Sequence, residues 1–148
     1  MNSKKLHIFL SGSVHKGSGD KRESSFFWSS QDEEVLIENI TNAEVIILNP
    51  NTISTPKWKF KDRYTSDLEM VIQSDVMIVD ARTKKGLGVG AEMMMAHYES
   101  IPVYSLATPG SYYRNEILNN DSERIEWRHP FVFGLSDKIH DSISDIAN

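Results

Sequence analysis

Apolar residues along this chain fall into short continuous runs separated by polar, glycine-bearing segments. Residues 6–11 (LHIFLS), 44–48 (EVIIL), 75–80 (DVMIVD) and 101–106 (IPVYSL) are compact apolar runs, the pattern of strands covered on both faces. Between them the period lengthens. A helix is expected within 26–41, where Val35, Leu36, Ile37 and Ile40 give partial helical spacing and Ser29 or Ser30 can cap, with Glu33 or Glu34 following. A second is expected over 64–73, with Leu68, Val71 and Ile72 on one face and Ser66 as cap, and a third over 90–99 (GAEMMMAHYE). Residues 50–60, which contain Pro50 and Pro56, read as irregular. After the turn Thr108-Pro109-Gly110 the pattern predicts a helix from Ser111 to about Asn119-Asn120-Asp121. A short fifth strand within 125–133 and a last helix over 136–147 follow.

Strands alternating with helices require crossover connections, hence a parallel sheet with helices on both faces. The expected fold is α/β: one doubly wound, Rossmann- or flavodoxin-like domain over residues 1–148, with about five parallel strands. In such sheets ligands sit outside the carboxyl ends of the strands. That rule selects the loops after Ser11, Leu48, Asp80 and Leu106, and two of the four are rich in glycine.

Composition narrows the function. The 148 residues are 39% hydrophobic and 25% charged, an ordinary globular profile. No apolar run approaches the ~20 residues that span a bilayer, and LHIFL ending in Ser-Gly reads as a first strand, not a signal peptide. The absence of cysteine excludes disulfides, thiolate metal sites and a cysteine nucleophile, and fits a reducing, cytoplasmic compartment. A formal net charge of −5 argues against duplex nucleic acid as a partner. A small phosphorylated ligand needs only local donors.

The loop after the first strand, Gly12-Ser13-Val14-His15-Lys16-Gly17-Ser18-Gly19-Asp20, combines glycines that allow close backbone approach with donors at Ser13, His15 and Lys16 suited to a phosphate or sugar. Its spacing is neither G-x-G-x-x-G nor a P-loop. The sharpest feature is Lys85-Gly86-Leu87-Gly88-Val89-Gly90-Ala91-Glu92, which joins a buried strand to a helix through Gly86, Gly88 and Gly90. Free amides at that helix start favour an anion, and Glu92 is expected in its first turn. Acidic residues are common there simply because they suit the helix dipole; the glycines and the strand-end position favour a catalytic carboxylate instead. The three methionines that follow read as core filling.

Asp67 is a second carboxylate expected at a helix start facing the strand ends, and Asp80 ends the third strand, where a polar residue either serves the ligand site or fastens the following turn. Asp75, at that strand's opposite end, reads as structural. The histidines show no metal-ligand spacing, and only His15 is placed for ligand contact. Phe26, Phe27 and Trp28 can stack on a base, although such clusters are more often core. No metal or cofactor is implied.

Taken in order, GSVHKG after a strand, then SDLEMVIQSDVMIVDA, then GLGVGAEMMMAHYESIPVYSLATP resemble the nucleoside 2-deoxyribosyltransferase-like superfamily, and in particular its nucleotide N-hydrolase branch. The likeness spans about residues 6–120; its motifs are specific in combination and none is specific alone. The resemblance implies a doubly wound domain that assembles into dimers or larger homo-oligomers. It implies that Glu92 attacks the anomeric carbon and that Asp67 lies near the sugar. It further implies that a 5'-phosphate is held from the first loop, the glycine loop and a neighbouring subunit, with Ser13, Gly86 and Ser111 at the corresponding positions. His15 stands where a relative has arginine and Gly86 where it has serine.

The implied chemistry is hydrolysis of the base–sugar bond of a nucleoside 5'-monophosphate through a glycosyl-Glu92 intermediate, since a carboxylate both attacks and stabilises the charge that builds at the anomeric carbon. Base exchange between nucleosides and non-catalytic nucleotide binding are the alternatives.

Overall fold

The computed structural model describes residues 3–52 and 59–147, with Phe60 described for its backbone alone. Its main sheet has five parallel strands in the order β2-β1-β3-β4-β7. These are β1 (Lys5–Ser11), β2 (Glu44–Leu48), β3 (Val76–Asp80), β4 (Val103–Leu106) and β7 (Lys138–His140). Read along the five strands of this sheet, the order is the flavodoxin-like one, whose ligand crevice lies where the winding reverses, at β1 and β3.

Strand residues alternate between faces. Ile8, Leu10, Val76, Ile78 and Leu106 pack against Leu36 of α1 (Ser30–Asn39) and its C-cap Ile40, with Trp28 and Ile146. Phe9, Met77, Val79 and Val103 point the other way, against Val71 of α2 (Phe60–Gln73) and Val89, Met93 and Ala96 of α3 (Leu87–Tyr98). Each fully buried Leu, Ile, Val, Met or Phe contributes roughly 1.5–3 kcal/mol, so both faces supply the core, as continuous apolar strands require.

Helix starts depart from the sequence pattern. Ser29 caps α1 in a capping box, but its partner is Asp32, not Glu33 or Glu34. Helix α2 begins at Phe60, so Ser66 is interior and not a cap, and Asp67 lies about two turns in. The polar stretch Lys61–Arg63 lacks apolar periodicity, yet the Arg63–Asp67 pair at i,i+4 and the bond from Arg63 to the Pro50 carbonyl (2.6 Å) tie it down. Residues 53–58 of the segment read as irregular lie outside the described residues. Helix α3 begins at Leu87, three residues before the expected start, with Gly86 as its N-cap. Gly88 and Gly90 are therefore helical, at roughly 1 kcal/mol each relative to alanine, offset by burial of Val89 and Met93. Glu92 is consequently the sixth helical residue and not in the first turn.

The C-terminal third differs most. Instead of a helix after Ser111, β5 (Arg114–Leu118) and β6 (Arg124–Arg128) form an antiparallel hairpin. The Asn119 side chain accepts from the amides of Asp121 (3.0 Å) and Glu123 (2.9 Å), and Ser122 takes a left-handed φ of 61°. The Asn-Asn-Asp cluster thus reverses the chain where a helix end was expected. In place of a last helix over 136–147 comes β7, the fifth parallel strand, after the short α4 (Pro130–Gly134). Asp137 fixes β7 by accepting from the Val103 amide at 2.8 Å. At the opposite end of β3, Asp75 accepts from the His7 amide at 2.8 Å.

Candidate active site

Phe9 and Ser11 share one side of β1, the side facing α2 and α3. At the end of this interior strand Ser11 is fully buried, and its hydroxyl donates to Glu92 Oε2 at 2.5 Å. Helix side chains lean over the preceding turn, and four residues before Glu92 stands Gly88, where a Cβ would meet nothing within 4 Å beyond the neighbouring helix backbone. The carboxylate is therefore held from below by β1 while the helix surface beside it is bare backbone. No side chain caps α3, so the amides of Leu87, Gly88 and Val89 at its start have no partner within the helix.

Electrostatics single out Glu92. Burial pushes its carboxyl up from 4.5 to about 7; the Ser11 hydroxyl pulls the other way, Asp67 adds to the rise, and Arg63 opposes it. Asp67 itself is raised by burial, against the pull of Arg63, whose Nε stands 3.5 Å from Oδ1. That Oδ1 is buried with no hydrogen-bond partner among the described residues. Two carboxylates of raised proton affinity, one of them unsatisfied, thus lie together at the β1 end of the sheet, a concentration typical of functional sites.

A second cluster lies beneath the first loop. The Lys85 side chain is only 2% exposed, and its Nζ reaches the Phe26 carbonyl and Thr83 Oγ1 (both 2.8 Å), Ser13 Oγ (3.2 Å) and Asp80 Oδ2 (3.3 Å). Burial pulls the ammonium's pKa down, and Asp80 opposes this. Arg82 bridges Asp80 Oδ1 (2.9 Å) to Asp32 Oδ2 (3.0 Å), so Asp80, fully buried, fastens loops. Because Ser13 Oγ accepts from Lys85, its own proton is left to donate outward.

The other expected residues are spread around these clusters. Gly12 fits only because it lacks a side chain: a Cβ there would stand 2.9 Å from Trp28 Cδ1. Trp28 is core, and its indole N–H donates to the Ser11 carbonyl at 2.9 Å. His15 is exposed; its ring leans on Phe27 at 5.2 Å and its Nδ1 accepts from the Gly17 amide. Lys16 is exposed, with its amide donated to Asp20. His15, Phe27, Trp28, Arg22, Ser29 and Asn51 line part of a cavity of about 400 Å³. Gly86 and Gly90 instead border an apolar cavity of about 610 Å³ on another flank of α3, shared with Met93, Tyr113 and Phe131; Glu92 and Asp67 do not line it. Ser111, in the turn after β4, has a buried Oγ without a hydrogen-bond partner among the described residues. Among those residues no cluster of three or more ligating side chains could hold a metal ion, and no helix is long and apolar enough to cross a membrane.

Sequence reasoning missed Ser11, Arg63 and Lys85. Ser11 carried the same signal as Asp80, a polar residue closing an apolar strand. Arg63 becomes visible once α2 is extended, four residues before Asp67. For Lys85 the sequence offers no signal.

No protein-family model matches the chain. It is 29% identical over 143 residues to the "Putative 2'-deoxynucleoside 5'-phosphate N-hydrolase 1" of Methanosarcina mazei, covering 94% of this chain and 84% of that protein. Among solved structures it is similar to a conserved protein from Enterococcus faecalis V583, with a TM-score of 0.60 at 16% identity over 95% of this chain and 94% of the other. It is also similar to the 2-deoxyribosyltransferase of Bacillus psychrosaccharolyticus, with a TM-score of 0.54 at 14% identity over 97% and 91% of the two chains. The chain is thus similar in sequence to a putative nucleotide N-hydrolase and shares its fold with a 2-deoxyribosyltransferase.

Proposed function

We propose that the protein is a cytoplasmic N-glycosidase that hydrolyses the base–sugar bond of a nucleoside 5'-monophosphate, acting as a single domain that assembles into homodimers or larger homo-oligomers. The observation that carries this reading is the buried Glu92 carboxylate at the β1 end, held by Ser11 and coupled to Asp67. The likeness to the putative 2'-deoxynucleoside 5'-phosphate N-hydrolase of Methanosarcina mazei supports the substrate class.

In the first step a Glu92 oxygen bonds to C1' as the C1'–N bond breaks, and the bonding pair leaves with the base. The base takes a proton from Asp67, whose raised proton affinity suits it to donate. In the second step water adds to C1', the ester bond to Glu92 breaks, and the Asp67 carboxylate accepts the water's proton. Free base and sugar phosphate result. Ser13, with its proton turned outward, His15, Lys16 and the glycine-flanked start of α3 are the donors assigned to the phosphate; Gly86 and Gly88 contribute unpaired backbone amides, Gly90 leaves the helix surface without a side chain, and Ser111 offers a hydroxyl.

The test is a panel of ribo- and deoxyribonucleosides with and without 5'-phosphate, assayed for free base in the presence and absence of a second base. Release from 5'-monophosphates without an added base is expected. Products that form only when a second base is supplied would make the protein a base-exchange enzyme and refute hydrolysis.

A further inference from the structure

Ser11 is the one side chain from the sheet that bonds the Glu92 carboxylate among the described residues. Its own position is tightly set. β1 is hydrogen-bonded on both sides, Ser11 is in register with Val79 of β3, and its carbonyl receives the Trp28 indole N–H. Behind it, Gly12 packs so closely on Trp28 that no side chain fits. The hydroxyl therefore has a fixed origin, and its bond is made to one oxygen, Oε2. Oε1 has no hydrogen bond among the described residues.

We propose that Ser11 is a positioning residue for the nucleophile: its hydroxyl clamps Oε2 of Glu92 and leaves Oε1 as the oxygen that bonds to the anomeric carbon. This inference rests on the glycosidase reading. In the glycosyl ester Oε2 is the carbonyl oxygen, so the same hydrogen bond persists through the intermediate. It strengthens again as the C1'–Oε1 bond breaks and charge returns to the carboxylate. Besides the Ser11 dipole, which favours the charge of Glu92, two groups bear on it: Asp67 of α2, which disfavours it, and Arg63 of α2, which favours it. Removing the hydroxyl leaves burial and Asp67 opposed by Arg63 alone, so Glu92 ionises at higher pH.

The experiment is the pH profile of kcat/KM for base release by wild type, Ser11→Ala and the nearly isosteric, weakly donating Ser11→Cys. A hydrogen bond to a charged group corresponds to roughly ten- to a hundredfold. The acid limb is thus expected about one to two pH units higher in both variants, with kcat/KM at pH 6 lower by about the same factor. Limb position does not depend on how much of a variant is folded, and Ser11→Cys preserves the packing if Ser11→Ala does not fold. An acid limb at the wild-type position in either variant, while wild type releases base, overturns the role of Ser11 alone. No base release by wild type overturns the glycosidase reading and the inference together.

Discussion

Glu92→Gln is expected to stabilise the fold at neutral and alkaline pH while abolishing activity. In the folded protein burial keeps the carboxyl protonated up to about pH 7, against an ordinary 4.5. Below 4.5 the group is neutral in both states and costs nothing. As pH rises from 4.5 to 7 the unfolded chain releases a proton that the folded chain retains, so stability falls, and above 7 the loss is complete. Between pH 5 and pH 7 the slope of ~1.36 kcal/mol per pH unit amounts to about 2.5–3 kcal/mol. Glutamine is neutral throughout and can still accept from Ser11. Any constant loss from replacing the carboxylate appears equally at both pH values. The stability of Glu92→Gln minus that of wild type should therefore grow by about 2.5–3 kcal/mol between pH 5 and pH 8. That corresponds to about 5–10 °C in relative Tm for a chain of this size. Urea unfolding followed by tryptophan fluorescence at the two pH values measures it. A difference that stays constant from pH 5 to pH 8 would refute the claim that Glu92 is held neutral by its surroundings.

Two further perturbations probe the supports of the site. Lys85→Met removes a buried ammonium from Asp80 and three hydrogen bonds; with Arg82 still on Asp80, a loss of about 2–4 kcal/mol in urea unfolding is expected, and a change under 0.5 kcal/mol would show the pair to be unimportant. Gly12→Ala drives a methyl to within 2.9 Å of the Trp28 indole. About 1–3 kcal/mol of destabilisation and a shifted Trp28 emission should follow, whereas a wild-type stability and spectrum would contradict the close packing.

The first two thirds of the fold were legible because each buried strand is an uninterrupted apolar run and each connection carries its own punctuation. Beyond Leu106 the signals fail for identifiable reasons. The alternation in Arg114–Leu118 and Arg124–Arg128 is masked by exposed apolar residues on a two-stranded ribbon, and Asn119 can end a helix or turn a hairpin. β7 is three residues long, too short for any period, and is fixed by Asp137 from outside the strand. At the site, the glycines of residues 86–90 marked the right place but suggested a loop, because the burial of Val89 and Met93 that makes them helical is a tertiary effect. Ser11 and Lys85 act through partners 81 and 72 residues away, Glu92 and Ser13, which no local pattern reports.

The most direct test of Glu92 as nucleophile is to quench the reaction with a slowly turned-over nucleoside 5'-monophosphate and map the peptides by mass. A sugar-phosphate ester on Glu92, absent in Glu92→Gln, together with loss of base release by about a thousandfold or more in that variant, is the predicted result. An adduct on another residue, or undiminished base release by Glu92→Gln, would contradict it.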